Sequence, residues 1–296
     1  MAALSDRSGR AKWVPALALA RAGVRPSKGR GQNFLVQPAV ADRIVAAARL
    51  RPGDQVIEIG PGLGILSERI AAYPIARLAM VEIDSRLAAD LKDRFQSARN
   101  VDVIEADFLD LAPATVFRDW PAVVIGNLPF SSASAILRRL CDWRRMNSRQ
   151  MISRMVLMFQ REVAERIRAR PREPGYAMLS VVSALYWEID SHFRVTAGSF
   201  HPKPKVDAEV LIMRPRVPAP FADNEEHAVI ETVRAAFSSR RKTLRNALSS
   251  GLKIVPARAQ AALERAAIDP GARAETLDTA DFVRLARSLA VRTGDA

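Results

Sequence analysis

Gln55-Val56-Ile57-Glu58-Ile59-Gly60-Pro61-Gly62-Leu63-Gly64 is the stretch on which the reading of this chain turns. It follows the turn Pro52-Gly53-Asp54. Its mostly apolar first half reads as a short buried strand. Glycines then stand at 60, 62 and 64, and a helix is predicted over residues 66–72. Glycine permits a sharp turn and close backbone approach to a ligand. The alternative is a bare strand–helix turn, for which one glycine would suffice.

Outward from this loop the pattern alternates. A helix is predicted after Pro38. Strands are predicted over residues 76–83, 101–105, 122–125 and 155–159, with helices over 85–95, 133–140 and 161–168. Repeated strand–helix units specify an α/β fold, a mostly parallel sheet covered on both faces. Past a helix over 178–185, strands over 186–195 and 208–213 have no helix between them. They are expected as an antiparallel pair at one sheet edge. The proline-rich residues 214–222 form the best linker. Only helices are predicted beyond it, over 225–237, 241–248, 257–267 and 279–289. The expected division is a basic arm over 1–28 with a short helix over 14–22, an α/β domain over 29–214, a linker over 215–222 and a helical domain over 223–296.

The charge narrows the partners. Lys and Arg total 45 against 32 Asp and Glu, a formal net charge of +13, which attracts polyanions. The excess is concentrated. Between Arg138 and Arg172 lie eleven arginines and three acidic residues. Arg144, Arg145 and Arg161 are its candidate phosphate contacts. Arg240, Arg241, Lys242 and Arg245 form a second patch, with Arg241 and Arg245 expected on one helix face. Lys203 and Lys205 form a third. Cys141 is the only cysteine, which excludes an internal disulfide. The three histidines lack ligand spacing, so no metal is expected. No apolar run approaches the roughly 20 residues of a membrane span. The first residues lack the order of a secretory signal, so a cytoplasmic protein is expected, with an organelle matrix as the alternative.

Glu82 lies 22 residues beyond Gly60 at the end of the next strand, where a carboxylate can accept both ribose hydroxyls. A dinucleotide loop prefers Gly-x-Gly-x-x-Gly, and no Gly-Lys-Ser/Thr follows to make a Walker loop. Glu58 would repel a pyrophosphate and tolerate a cation. S-adenosylmethionine, with a ribose, an adenine and two cationic centres, suits this charge. Asp107 follows strand 101–105. It either accepts from an adenine amine, with Phe108 packing on the ring, or caps a turn.

Gly126-Asn127-Leu128-Pro129-Phe130 follows the strand over 122–125, where open parallel sheets carry their reacting groups. Asn127 offers an acceptor oxygen, Pro129 a carbonyl and Phe130 a flat apolar face. Together they fit a planar ring bearing an amine, with two acceptors on its hydrogens. The alternative is a turn before a core phenylalanine.

These stretches resemble the small-subunit ribosomal RNA adenine N6-dimethyltransferases, the 16S rRNA dimethyladenosine transferase type. The likeness is carried in order by Gly31-Gln32-Asn33-Phe34-Leu35, the Glu58–Gly64 loop, Val81-Glu82-Ile83-Asp84, Gly126–Phe130 and Phe200-His201-Pro202-Lys203-Pro204-Lys205-Val206-Asp207. Phe237-Ser238-Ser239-Arg240-Arg241-Lys242-Thr243-Leu244-Arg245-Asn246 matches the family's helical domain. The resemblance runs from about Lys28 to the C-terminus. It implies a class I, Rossmann-like methyltransferase domain followed by a small helical one. It also implies methylation of two adjacent adenosines near the 3′ end of small-subunit rRNA, each twice. Gln32, Asn33, Leu35, Gly60, Gly62, Glu82, Ile83, Asp107, Phe108 and Asn127 would hold the cofactor. Asn127, Leu128, Pro129 and Phe130 would receive the adenine, and Phe200 would pack on its other side. The implied partner is rRNA in a pre-assembled small subunit, bound by a monomer, with no DNA and no membrane. The sister activity on large-subunit rRNA and a non-catalytic RNA-binding factor are the alternatives.

Several positions depart from the family pattern. Phe130 stands where many relatives carry tyrosine, and Ser131-Ser132-Ala133 replaces a usual Asn-Ile-Ser. Ala177 stands where glycine is common, and the segment over residues 195–199 lacks a Pro-Pro pair.

Overall fold

Strands buried on both faces belong in the middle of a sheet, and the first α/β strands meet that condition. In a computed structural model, which describes residues 15–24, 32–116, 121–146, 151–239 and 241–291, β1 is Phe34–Leu35 and β2 is Gln55–Ile59, buried from Val56 onward. Of residues 15 and 144–146 only the backbone is described. The later strands are β3 (Arg77–Glu82), β4 (Val101–Glu105), β5 (Ala122–Asn127), β6 (Ile152–Gln160), β7 (Trp187–Val195), β8 (Phe200–His201) and β9 (Ala208–Pro215). Seven of them form one sheet in the order β4-β3-β2-β5-β6-β9-β7. The β2–β3, β3–β4, β2–β5 and β5–β6 pairs are parallel, and β6–β9 is antiparallel. As expected, β7 and β9 close one edge side by side.

The chain winds outward from β2 through β3 to β4, then restarts on the other side with β5. The switch point therefore lies between the carboxyl ends of β2 and β5, where open α/β sheets bind their ligands. Ile59 pairs with Gly126 there, so the glycine loop and Asn127 leave the sheet side by side.

The helices of this part are α1 (Pro15–Arg21), α2 (Pro38–Ala48), α3 (Ile65–Ala71), α4 (Ser85–Phe95), α5 (Pro113–Val116), α6 (Ala133–Met146) and the start of α7 (Arg161–Arg168). In α2, Ala41, Ile44, Val45 and Ala48 are buried, the spacing of one helix face. They join Val56, Ile70, Val123 and Val156 in the core. β1 and β8 make a separate antiparallel pair, Leu35 opposite Phe200, which brings the Gln32–Leu35 and Phe200–His201 motifs together.

The chain divides into two units, residues 1–164 with 189–214, and residues 165–188 with 215–296. The expected single stretch over 29–214 is interrupted, because α8 (Met178–Tyr186) belongs with the helical unit. There the Tyr186 hydroxyl bonds Glu226, and the Tyr176 hydroxyl donates to the Leu277 carbonyl at 2.7 Å. The other helices of this unit are α9 (Glu226–Ala236), α10 (Leu244–Leu252), α11 (Pro256–Arg265) and α12 (Thr279–Ala290). Val229, Val233, Leu244, Leu248, Leu263 and Phe282 are buried within it. Gly251 allows α10 to approach α9 closely, since a β-carbon there would stand 2.7 Å from the Ala235 α-carbon.

α10 begins three residues later than predicted. Its Leu244 and Arg245 N–H groups donate to the Ala272 and Pro270 carbonyls, which fixes the helix start after Arg241 and Lys242. Arg241 and Arg245 therefore do not share a helix face. No helix among the described residues is long and apolar enough to cross a membrane.

Candidate active site

Three glycines with positive φ, Gly60 at 66°, Gly62 at 56° and Gly64 at 77°, carry the chain from β2 into α3. At Gly62 a β-carbon would also press on the Phe34 ring at 3.0 Å. The loop borders a cavity of about 330 Å³. Gln32, Asn33 and Leu35 enter its wall from β1 and the residues before it, and Gly60 and Gly62 from the loop. Glu82 and Ile83 end β3, and Asp107 and Phe108 follow β4. Asn127, Leu128, Pro129 and Phe130 complete the wall from the end of β5. Among the described residues no group of His, Cys, Asp and Glu could hold a metal ion.

Glu82 is buried, and burial raises its pKa above the usual carboxylate value, opposed by backbone N–H bonds. Oε2 accepts from the Gly62 N–H at 3.0 Å and Oε1 from the Asp84 N–H at 2.9 Å. Each oxygen keeps further acceptor capacity for a ligand hydroxyl. Asp107 Oδ1 accepts from the Leu109 N–H at 2.8 Å, the turn-capping bond. Both readings of Asp107 are thus compatible, since Asp107 also borders the cavity. Phe108 is buried and packs on Trp143 with ring centroids 4.7 Å apart.

Asn127 Nδ2 donates to the Asn33 carbonyl at 3.2 Å. That bond commits the amide nitrogen and leaves Oδ1 as an acceptor. The Pro129 carbonyl, expected to be exposed, accepts from the Ser132 and Ala133 N–H groups at 3.1 and 3.0 Å. It is used to start α6. Phe200 does not border the cavity. It is buried in the core, edge-on to Phe130 with centroids 6.4 Å apart. No base-sized gap separates the two rings, so Phe200 supports Phe130 from behind.

Glu58 also differs from expectation. It is 1 % exposed, lies outside the cavity wall, and burial pushes its pKa up to about 8. A carboxyl held neutral at pH 7 exerts no pull on a cationic ligand. The acids of the cavity wall are Glu82 and Asp107.

The sequence reading missed a support beneath the loop. Arg94 donates to the Leu63 carbonyl at 2.9 Å and to Asp90 at 3.3 Å, and pairs with Glu68. Asp90 in turn accepts from Arg21 of α1 at 2.5 and 3.2 Å. Ala18, Ala22 and Val24 pack with Phe34, Leu63 and Leu87, three residues of the cavity wall. The described part of the basic arm is thus built into this unit.

The basic patches resolve unequally. Arg139 donates to the Leu111 carbonyl at 2.8 Å and Arg154 to that of Ala48 at 3.2 Å, so these two hold loops. Arg161 is exposed at the start of α7. Lys203, Lys205, Arg241, Lys242 and Arg245 are exposed and pair with no carboxylate among the described residues. The side chains of Arg144 and Arg145, and the whole of Arg240, lie outside the described residues. Asp207 anchors the Lys203–Lys205 loop, accepting from the Ala197 N–H at 2.9 Å and pairing with Arg194 at 2.7 Å. Those contacts, the backbone bond first, lower its pKa. A proline at 197 would lack that donor. Ala177, at φ −155°, needs no glycine.

A doubly wound sheet with a glycine loop, an acid at the second strand end and Asn-Leu-Pro-Phe at the switch point defines an adenosylmethionine-dependent methyltransferase of the Rossmann-like class. Residues 26–291 match the ribosomal RNA adenine dimethylase family, and the chain belongs to it. It is 40 % identical over 269 residues to the ribosomal RNA small subunit methyltransferase A of Syntrophotalea carbinolica, covering 89 % of this chain and 96 % of that one. The protein of the same name from Methylococcus capsulatus is 39 % identical, with 89 % and 98 % covered. Among solved structures, a dimethyladenosine transferase from Plasmodium falciparum superposes with a TM-score of 0.69 at 25 % identity, over 85 % of this chain and 95 % of that one. The 23S rRNA methyltransferase ErmE gives 0.62 at 26 %, over 87 % and 99 %.

Proposed function

We propose that this protein methylates N6 of two adjacent adenosines near the 3′ end of small-subunit rRNA, twice each, acting as a cytoplasmic monomer on a pre-assembled small subunit. The observation that carries this reading is the meeting of Glu82 and Asn127 on one cavity at the switch point. Glu82 takes the ribose hydroxyls, and Asp107 the adenine amine with Phe108 beside the ring. Gln32, Asn33, Leu35, Gly60, Gly62 and Ile83 close round the rest. Bound S-adenosylmethionine supplies an electrophilic methyl group on its sulfonium.

The target base stacks on Phe130, which Phe200 holds in place. Asn127 Oδ1 accepts one N6 hydrogen. The second acceptor is assigned to the Leu128 carbonyl, because that of Pro129 is occupied by α6. The lone pair of an aromatic amine is delocalised into its ring. Acceptors on both hydrogens in the first transfer, and on the single remaining one in the second, favour a tetrahedral nitrogen and stabilise the positive charge that develops there. The alkylated nitrogen then loses its proton to solvent. No covalent protein nucleophile is needed; orientation supplies much of the rate. Lys203, Lys205, Arg241, Lys242 and Arg245, with Arg144, Arg145, Arg161 and Arg240, serve the phosphates.

Asn127→Ala is expected to lower single-turnover methyl transfer to small subunits by about 10²–10³. Cofactor and RNA affinity should stay within a few-fold. The measurement is dimethyladenosine formed on purified small subunits, large subunits and naked RNA at saturating cofactor. Near-parental turnover in the variant sinks the amine-positioning role. Parental activity confined to large subunits, or absent on all three, sinks the assigned substrate.

A further inference from the structure

The helical unit holds a second cavity, of about 390 Å³, that methyl transfer does not use. It lies between the residues before α8, the end of α9 and the turn before α12. Phe237, Tyr176, Ser239, Arg172 and Arg273 are in its wall, together with Glu173 and Glu275. We propose that this cavity receives one unpaired nucleotide of the RNA substrate, at a point separate from the adenine being methylated. The proposal rests on the reading that the protein acts on rRNA.

The volume lies within the range of small-ligand pockets, roughly 300–1,000 Å³. Phe237 is half-buried and braced on two sides. Its ring centroid is 6.2 Å from that of Tyr176 and 5.8 Å from that of Phe282. Tyr176 is itself fixed by its bond to the Leu277 carbonyl. An aromatic held in this way is a ready stacking surface for a splayed-out base.

The charges divide the work. Two arginines and two glutamates leave the wall near neutral, and Glu173 Oε2 is already committed to the Arg170 N–H at 2.8 Å. Such a wall suits an uncharged base. The unpaired cations lie on the adjoining segment. Lys242 N–H donates to the Ser239 carbonyl at 3.2 Å and Leu244 N–H to that of Ala272 at 2.8 Å. The chain bearing Arg241 and Lys242 therefore leaves the wall at Ser239 and returns beside Arg273. A base in the cavity would have its phosphates over this segment.

Arg172 adds a separate observation. Its φ is 71°, a conformation that favours glycine, and its N–H is held by the Glu275 carbonyl at 2.8 Å. A bulky side chain kept in a strained conformation on a cavity rim suggests a use for that side chain.

That strain supplies the test. Arg172→Gly relieves the backbone while removing the guanidinium, so the thermal midpoint should hold or rise. Affinity for small subunits should fall about tenfold through the lost contact with the base, while the slope of log affinity against log salt should hold, because the phosphates lie over Arg241 and Lys242. Ser239→Phe fills the cavity without removing charge. It should weaken binding similarly with the salt slope unchanged. Ultraviolet cross-linking of the parent complex should place nucleotide adducts on peptides containing Tyr176 or Phe237. Adenosylmethionine affinity should be unaffected in both variants. Parental binding by both variants, or adducts absent from those peptides in a complex that does form, would overturn the nucleotide site alone. A parent that binds no small-subunit RNA would overturn the rRNA reading and this site with it.

Discussion

Asn127 and Glu58 sit near the carboxyl ends of adjacent strands, and their surroundings give them opposite work. Asn127 borders the cavity with one amide atom committed and one available. Glu58 faces the interior among Ser67, Glu82 and Arg94. Its spacing before the loop was legible, but its direction was not, because a one-residue change along a strand moves a side chain to the other face. Glu82 was legible because strand end and spacing from Gly60 agreed. Phe200 was expected against the target base, whereas the structure buries it in the core beside Phe130, a depth that motif order does not carry. A carboxyl whose pKa rises from 4.5 to about 8 on folding stabilises nothing in its charged form. The folded state holds its proton more tightly, so its contribution is intact below about pH 4.5 and is lost as pH rises to about 8. Glu58→Gln should therefore stabilise the protein at pH 7, by up to about 3 kcal/mol. Denaturant unfolding at pH 5 and pH 8 checks it: the gap between variant and parent should widen with pH, and a constant gap would refute the burial argument.

At the scale of elements, α1 shows what a charge count misses. The N-terminal segment reads as a basic arm from composition, and the short helix within it was expected. Its apolar face was not connected to anything, because its partners Phe34, Leu63 and Leu87 come from three separate segments. Long-range packing of this kind has no local signature. The start of α10 was misjudged for the same reason, since the carbonyls that fix it lie at 270 and 272. The path from Arg21 through Asp90 and Arg94 to the Leu63 carbonyl ties α1 to the glycine loop. Removing residues 1–24 should weaken adenosylmethionine binding about five- to tenfold, roughly the 1 kcal/mol of a charge-assisted contact plus lost packing. Calorimetric titration of the folded truncated chain measures it, with melting as the control for fold. Arg21→Lys should retain more affinity than Arg21→Ala, because a cation still faces Asp90. Parental affinity in the truncated chain would mean that α1 only covers surface.

Across the whole molecule, the alternation of strand and helix made the class of the main unit legible, and the arrest of that alternation announced the helical part. The division between them was harder to see, because α8 continues the strand–helix rhythm in sequence while packing with the helices beyond the proline-rich segment. Charge was legible in total and less so in place. The net +13 is a property of composition, whereas Arg139 and Arg154 spend their guanidinium groups on backbone carbonyls. The cations left unpaired at Arg241, Lys242 and Arg245 should carry a measurable share of the attraction to RNA. Each phosphate neutralised releases counterions, so log affinity falls against log salt with a slope of about 0.9 per contact. Replacing these three residues with glutamine should weaken small-subunit binding most at low salt and reduce the slope by about 2–3 if all contact phosphates. Adenosylmethionine affinity should not change, because the cofactor cavity lies wholly in the other unit. Binding at several salt concentrations separates the outcomes. A parallel shift at unchanged slope would mean that the three residues act through shape, and an unchanged curve would mean that this face never meets the RNA backbone.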